Sequence, residues 1–167
     1  MEPRTVSESR SVLAQMMGPA DANPAGFVHG GTVMRLCDET AATAALRHSR
    51  ARVVTAAVDR MTFLAPVHVG DLLTLQSSVN AVWRTSMEVG VRVHSEDPKT
   101  GEVRHTNSAY ITLVAVDEDG HPLAVPPLVC ETPEELRRER EAQVRRANRL
   151  AERETLLRDR EREAEPA

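Results

Sequence analysis

The chain of 167 residues is 41% hydrophobic, 28% charged and 2% aromatic, with a formal net charge of −4 at pH 7. That content is enough for one modest core, and the acidic balance with so few stacking rings argues against a nucleic-acid or anionic-membrane partner. Residues 1–10 lack the apolar stretch of a secretory signal, and no run of about 18 apolar residues follows, so a cytoplasmic protein is expected.

In chain order, the polar residues 1–10 are expected to form a flexible N-terminus, with a compact domain over 11–130 and a charged helix and tail over 131–167. Ser11 to Met17 reads as a strand or short turn ahead of Gly18-Pro19. A glycine-marked turn then opens a helix over Thr32 to His48, apolar nearly all round through Val33, Met34, Leu36, Ala41, Ala42, Ala44, Ala45 and Leu46. Such a helix has to be enclosed. Four segments rich in Val, Thr, Leu and Ile follow, Arg52–Leu64, Leu72–Trp83, Ser86–His94 and Arg104–Val116, separated by turn-forming residues. Their short connections predict antiparallel neighbours, and the fold class is therefore α+β, a sheet curling around one helix. At Thr132-Pro133-Glu134-Glu135 the pattern for a helix start is complete. The helix beyond it is dense in Arg and Glu, with pairs such as Glu134/Arg138, Glu141/Arg145 and Glu154/Arg158, and reads as a mainly solvated surface tail, with an oligomer-bracing helix as the alternative.

One acid, Asp38, interrupts the apolar helix. The helix's first turn offers unpaired N–H groups and positive dipole character, and Gly30 and Gly31 allow close approach to that backbone, so this end is suited to polarise a carbonyl oxygen. The seven residues from Gly31 to Asp38 rise about 10 Å and bring both onto one helical face. Glu39 points about 100° away. His29 either serves as an auxiliary base or anchors the loop, and Asn23 by itself reads as a turn residue of Asp21-Ala22-Asn23-Pro24. Cys37 and Cys130 lack metal or disulfide spacing, and Cys37 reads as a small apolar filler. Asp71, after Gly70, fixes a turn.

These residues resemble the hot-dog fold acyl-coenzyme A thioesterases, in their cytosolic acyl-CoA hydrolase branch. The resemblance runs from about Leu13 to Pro126. It rests on Asn23-x-x-Gly26-x-x-His29-Gly30-Gly31 with Asp38 beyond, Val53-Val54-Thr55, Met61-Thr62-Phe63-Leu64-Ala65-Pro66-Val67-x-Val69-Gly70-Asp71, and Thr85-Ser86. It implies a long helix gripped by about five antiparallel strands, and homodimers or trimers of dimers with sites between protomers. It also implies hydrolysis of acyl-CoA by Asp38 and Asn23 from opposite subunits, with the thioester carbonyl held at the helix start. Arg84, Thr85 and Ser86, otherwise an ordinary hairpin corner, would lie near the coenzyme A moiety. No metal and no cofactor is implied, coenzyme A being part of substrate and product. Position 65 is Ala where such proteins often carry a larger or basic residue. A non-catalytic acyl-CoA binding or sensing protein on the same fold is the alternative reading.

Overall fold

The computed structural model describes residues 1–164, and the side chains through residue 160. Eleven segments follow in order: β1 (Arg4–Thr5), α1 (Val6–Ser9), β2 (Ser11–Met16), a single 3-10 turn (Pro19–Asp21), α2 (Gly30–Ser49), β3 (Arg52–Val58), β4 (Leu72–Val82), β5 (Ser86–Asp97), β6 (Glu102–Val116), β7 (Leu128–Val129) and α3 (Pro133–Ala164). The main sheet has five antiparallel strands in the order β2-β4-β5-β6-β3. A second, two-stranded sheet pairs β1 with β7.

The sheet wraps α2, and the core lies between them. Val33, Leu36, Cys37, Ala41, Ala44 and Ala45 on the helix meet Leu73, Leu75, Val79, Met87, Val89, Ile111 and Leu113 on the strands. The alanines let the sheet approach closely. Two polar side chains in this interface are matched, Ser77 Oγ donating to Thr40 O at 2.9 Å and Thr40 Oγ1 to Leu36 O at 2.6 Å, whereas Asn107 Nδ2 and His48 Nδ1 are buried without a partner among the described residues. This is the hot-dog arrangement that the sequence implies, with β3 at one free edge.

Boundaries shift for identifiable reasons. The third strand, expected over Arg52–Leu64, ends at Val58. There Asp59 turns out to meet Arg149 of α3 at 2.6 Å, and Leu64 is held instead by its N–H to Thr106 O at 2.7 Å. The β5–β6 hairpin is longer than expected, reaching Asp97 and resuming at Glu102, with Gly101 at φ 74° closing the turn.

The structure differs from the expected frayed N-terminus. Glu8 Oε2 accepts from Thr5 N–H at 2.8 Å, Ser9 Oγ accepts from Val79 N–H at 3.0 Å, and Arg47 Nε donates to Glu8 O at 3.1 Å. Val6 and Ser9 are buried, so this turn is fastened to β4 and the end of α2.

α3 also differs from a weakly docked tail. Its start is capped as expected, Thr132 Oγ1 accepting from Glu135 N–H at 3.2 Å and Glu135 Oε2 accepting from Thr132 N–H at 3.2 Å. Arg145, however, does not join Glu141 on the helix surface. It turns toward the sheet, donating to both carboxylate oxygens of Glu88 on β5, the shortest bond being 2.6 Å. Its guanidinium carbon also lies 3.6 Å from the centroid of the Tyr110 ring. Trp83 Nε1 donates to Gln143 Oε1 at 3.0 Å, and Ala142 is fully buried, its small side chain allowing close contact. Beyond this docked part, Leu150, Leu156 and Leu157 are exposed.

Glu88 is completely buried, so removing its partner leaves a desolvated charge, a change that typically costs about 3–5 kcal/mol. Urea unfolding of Arg145→Ala at fixed protein concentration is expected to show a loss of about 3 kcal/mol, while Arg158→Ala, at the exposed pair with Glu154, stays within about 0.5 kcal/mol of the parent.

Candidate active site

α2 starts where the 23–29 loop delivers it. Asn23 and Phe27 close a tight turn, with Asn23 N–H donating to Phe27 O at 2.7 Å and Gly26 at φ 84°. Asn23 Oδ1 accepts from Ala25 N–H at 2.9 Å and from Phe27 N–H at 3.2 Å. The turn reading of Asn23 therefore holds. With the oxygen so engaged, the amide nitrogen is the end left for another partner.

His29 caps the helix. Its Nδ1 accepts from Gly31 N–H at 3.0 Å, which requires the proton on Nε2 or none on Nδ1, and its backbone O accepts from Thr32 N–H at 2.9 Å. The Gly31 N–H is thus occupied within the chain. For the Gly30 N–H no partner exists among the described residues, so of the two glycines Gly30 carries the available donor. A Cβ at Gly30 would lie 3.6 Å from Phe63 Cζ, so the position is narrow as well as open to the backbone.

Asp38 sits two turns further along, partly buried, facing the free edge of the sheet. Thr55 Oγ1 on β3 donates to its Oδ1 at 2.6 Å, a short charge-assisted bond that fixes the carboxylate and leaves Oδ2 available. Sequence reasoning placed Thr55 in a shared motif without giving it a role. The signal it missed was the antiparallel return of β3 along α2, which brings position 55 opposite position 38. Glu39 faces away as expected and pairs with Arg35 at 2.6 Å.

Arg84 and Thr85 form the corner between β4 and β5, with Trp83 N–H donating to Ser86 O at 2.8 Å. The corner is held from behind, Thr85 O accepting from Ala115 N–H at 3.0 Å and Arg84 O from Val125 N–H at 3.1 Å. Its position is fixed by register: Thr55 and Met87 both pair with Leu113 on β6, so Met87, beside Ser86, lies two strand spacings, about 10 Å, from Thr55.

The structure thus brings Asp38 and Thr55 together, and puts the 84–86 corner on the same stretch of sheet. Gly30 and Gly31 lie about 10 Å away at the helix start, with Asn23 and His29 in the loop that precedes it, and no hydrogen bond among the described residues joins the two groups within one chain. An apolar cavity of about 340 Å³ opens at that start, between Phe27, Val28, Gly30 and Val33 on one side and the Phe63–Val67 segment on the other. A wider groove of about 620 Å³ runs between α3 and the outer face of the sheet; most of its charges are paired, as in Arg10–Glu135 at 3.0 Å and Arg138–Glu134 at 2.7 Å, and it contains none of these residues.

His48, buried, has its Nε2 2.9 Å from Pro126 O, and burial holds its pKa below the ordinary value. Burial pushes both thiols up to about 11, with the neighbouring carboxylates Asp38 (for Cys37) and Glu139 (for Cys130) acting in the same direction. The one group of metal-ligand side chains found among the described residues, Asp117, Asp119 and His121, sits on an exposed turn where Asp117 Oδ1 already accepts from the N–H groups of Asp119 and His121.

The Thioesterase superfamily profile matches residues 25–102. A solved hexameric acyl-CoA thioesterase superposes with a TM-score of 0.88 at 40% identity, covering 91% of this chain and 97% of that one. The chain belongs to the thioesterase superfamily. This thioesterase is also 38% identical over 139 residues to a rat cytosolic acyl coenzyme A thioester hydrolase, a match spanning 82% of this chain and 36% of the longer rat protein. An acyl-CoA hydrolase from Staphylococcus aureus, solved with butyryl coenzyme A, coenzyme A and coenzyme A disulfide, superposes with a TM-score of 0.86 at 33% identity over 97% of this chain and 99% of that one. That enzyme has also been solved as alanine variants of an Asn, an Asp and a Thr, spaced by 15 and 17 residues. Asn23, Asp38 and Thr55 have the same spacing here.

Asp71 closes the segment that walls the cavity. Ser95 Oγ donates to its Oδ2 at 2.5 Å, His68 N–H at 3.0 Å and Arg104 Nη2 at 3.3 Å. Burial raises its pKa, but the Ser95 and His68 hydrogen bonds and the charges of His68 and Arg104 outweigh it and hold the carboxyl below its ordinary value. A depressed folded-state pKa contributes stability that is present above the unfolded pKa of about 3.9 and is lost as pH falls through the folded value. Thermal melts of the parent and Asp71→Asn should therefore differ most at pH 6–7 and converge as the pH drops below about 4.

Proposed function

We propose that the protein hydrolyses acyl-CoA thioesters to a free carboxylic acid and coenzyme A, and that Asp38, held by Thr55, is its base. The Thr55–Asp38 hydrogen bond carries this reading: a carboxylate at the margin of the buried face of α2, oriented by a hydroxyl and open on its second oxygen. Acyl-CoA hydrolysis is also what the relatives' names describe.

Asp38 Oδ2 takes a proton from water, whose oxygen attacks the thioester carbonyl carbon. The oxyanion that forms is held by the Gly30 N–H with the dipole of α2 behind it. On collapse the C–S bond breaks and coenzyme A leaves as a thiolate. Its conjugate acid has a pKa of about 8.5, so no strong general acid is needed. The Asn23 amide nitrogen, its oxygen fixed by its own turn, orients the water or the carbonyl. Arg84, Thr85 and Ser86 meet the coenzyme A portion, an exposed cation and two hydroxyls suiting phosphate and pantetheine.

The gap between the helix start and Asp38 within one chain supports a site shared between two copies, Asn23 and Gly30 from one protomer facing Asp38 and Thr55 of its partner. The surface around Asp38 suits a protein neighbour: β3 is an unpaired edge, and Met34, Leu46, Val54 and Val58 are all more than 40% exposed there. A homodimer, assembled further as a trimer of dimers, is the proposed state, in line with the hexameric relative. Among the described residues no helix is long and apolar enough to cross a membrane.

In a free-thiol assay over acyl-CoAs from short to long, Asp38→Asn should lower kcat by about 10³-fold, and Thr55→Val by about 10- to 100-fold with the carboxylate no longer oriented. Melting temperatures and oligomer size are expected to stay near those of the parent. A parent protein that binds acyl-CoA but releases no thiol would refute the hydrolase reading in favour of a binding protein.

A further inference from the structure

We infer that Arg149 is a positioning residue for acyl-chain selectivity: its ion pair with Asp59 fixes the segment that walls the apolar cavity at the start of α2, and so sets how long an acyl chain is accepted. The inference rests on the hydrolase reading above.

Asp59 is the first residue after β3, four residues beyond Thr55. Its N–H donates to Tyr110 O at 3.0 Å, and its carboxylate meets Arg149 Nη1 at 2.6 Å, with the two side chains only 15% and 24% exposed. A pair this far removed from water, with one short direct bond, exceeds an exposed surface pair in strength and in geometric definition. Arg149 also lies 3.7 Å from the fully buried Glu88, beside Arg145, so its guanidinium is held between two carboxylates of the sheet side.

The next backbone ties along the segment are Leu64 N–H to Thr106 O at 2.7 Å and Val28 N–H to Val67 O at 2.9 Å. Between Asp59 and Leu64 the other side-chain tie among the described residues is the exposed Arg60–Glu152 pair at 3.5 Å. Within this stretch Met61 packs against the core, but Phe63 and Leu64, which reach the cavity, are 43% and 66% exposed. The same two residues form one wall of the cavity, and Phe63 closes on Gly30.

The position of that wall depends on where the segment leaves β3, and there Arg149 adds a side-chain tie to the Asp59 backbone bond and the packing of Met61. Arg149 touches neither Asp38 nor Thr55, so it acts on the cavity and not on the reacting carbonyl. The cavity is lined by apolar side chains, which suit the alkyl part of the substrate.

The test uses the full chain as Arg149→Ala, Arg149→Lys, Asp59→Asn and the double variant Asp59→Asn/Arg149→Ala, with Arg158→Ala as control. Steady-state kinetics on straight-chain acyl-CoAs of increasing length are paired with amide hydrogen exchange over residues 59–67. Arg149→Ala is expected to raise KM for the longest substrates accepted by about 10-fold, leave kcat on the shortest within about 2-fold, and speed exchange at Leu64 by about 10-fold. Arg149→Lys recovers part of the long-chain KM, Asp59→Asn matches Arg149→Ala, the double variant is no worse than either, and the control matches the parent. Unchanged exchange at Leu64, or a KM that rises equally at every chain length, overturns the inference while leaving the hydrolase reading intact. A parent protein that cleaves no thioester removes the hydrolase reading, and the selectivity claim falls with it.

Discussion

Along the twenty-residue α2, Val33, Leu36, Cys37, Ala41, Ala44 and Ala45 form a buried face while Arg35, Glu39, Thr43 and Arg47 stay exposed, and the architecture follows from how the sheet covers that buried face. Alanines at 41, 44 and 45 bring the strands close, and the Ser77 and Thr40 hydroxyls in the interface are satisfied locally. The enclosure stops at β3, the last strand of the sheet. Asp38 lies at that margin, where a carboxylate keeps some access to water and yet is ordered by a hydroxyl from the strand. The border suits the role proposed for it: deeper in the core its charge would be too costly, and in open solvent nothing would orient it.

Much of the fold was legible because its signals are local. The apolar run of α2, the alternating segments of β4 to β6 and the cap at Thr132 each announce themselves within about ten residues. What escaped was fixed by partners distant in sequence. The strand expected to continue to Leu64 is ended at Val58 by a residue 90 positions away, and Arg145 ignores Glu141, four residues before it, for Glu88, 57 positions away. The N-terminal turn looked polar enough to fray, but the Ser9 hydroxyl accepts from β4 and the Glu8 backbone carbonyl accepts from Arg47 at the end of α2. In the site, Asp38 stood out as an acid beside the apolar residues of an alanine-rich helix, whereas Thr55 looked like any strand threonine until the return of the chain set it against Asp38.

The C-terminal helix is attached mainly through charges and rings. Arg145 joins Glu88 and stacks on Tyr110, Arg146 lies over Trp83 with its guanidinium carbon 4.3 Å from the ring centroid, and Arg149 reaches Asp59. Such contacts are directional, and desolvation offsets much of their net stabilisation, so they serve to fix register more than to add stability. An apolar stripe in their place could slide by a turn; a bidentate arginine on a buried glutamate cannot.

Cys37 and Cys130, with pKa values near 11, are almost wholly protonated at neutral pH, about one part in ten thousand being thiolate at pH 7. Disulfide exchange requires the thiolate. Each turnover of an acyl-CoA hydrolase sets free a sulfhydryl compound beside the protein, and in an oxidising moment that product becomes a reagent for capping cysteines. A catalyst whose own sulfurs are this unreactive can stand in its accumulating product without being covalently modified by it.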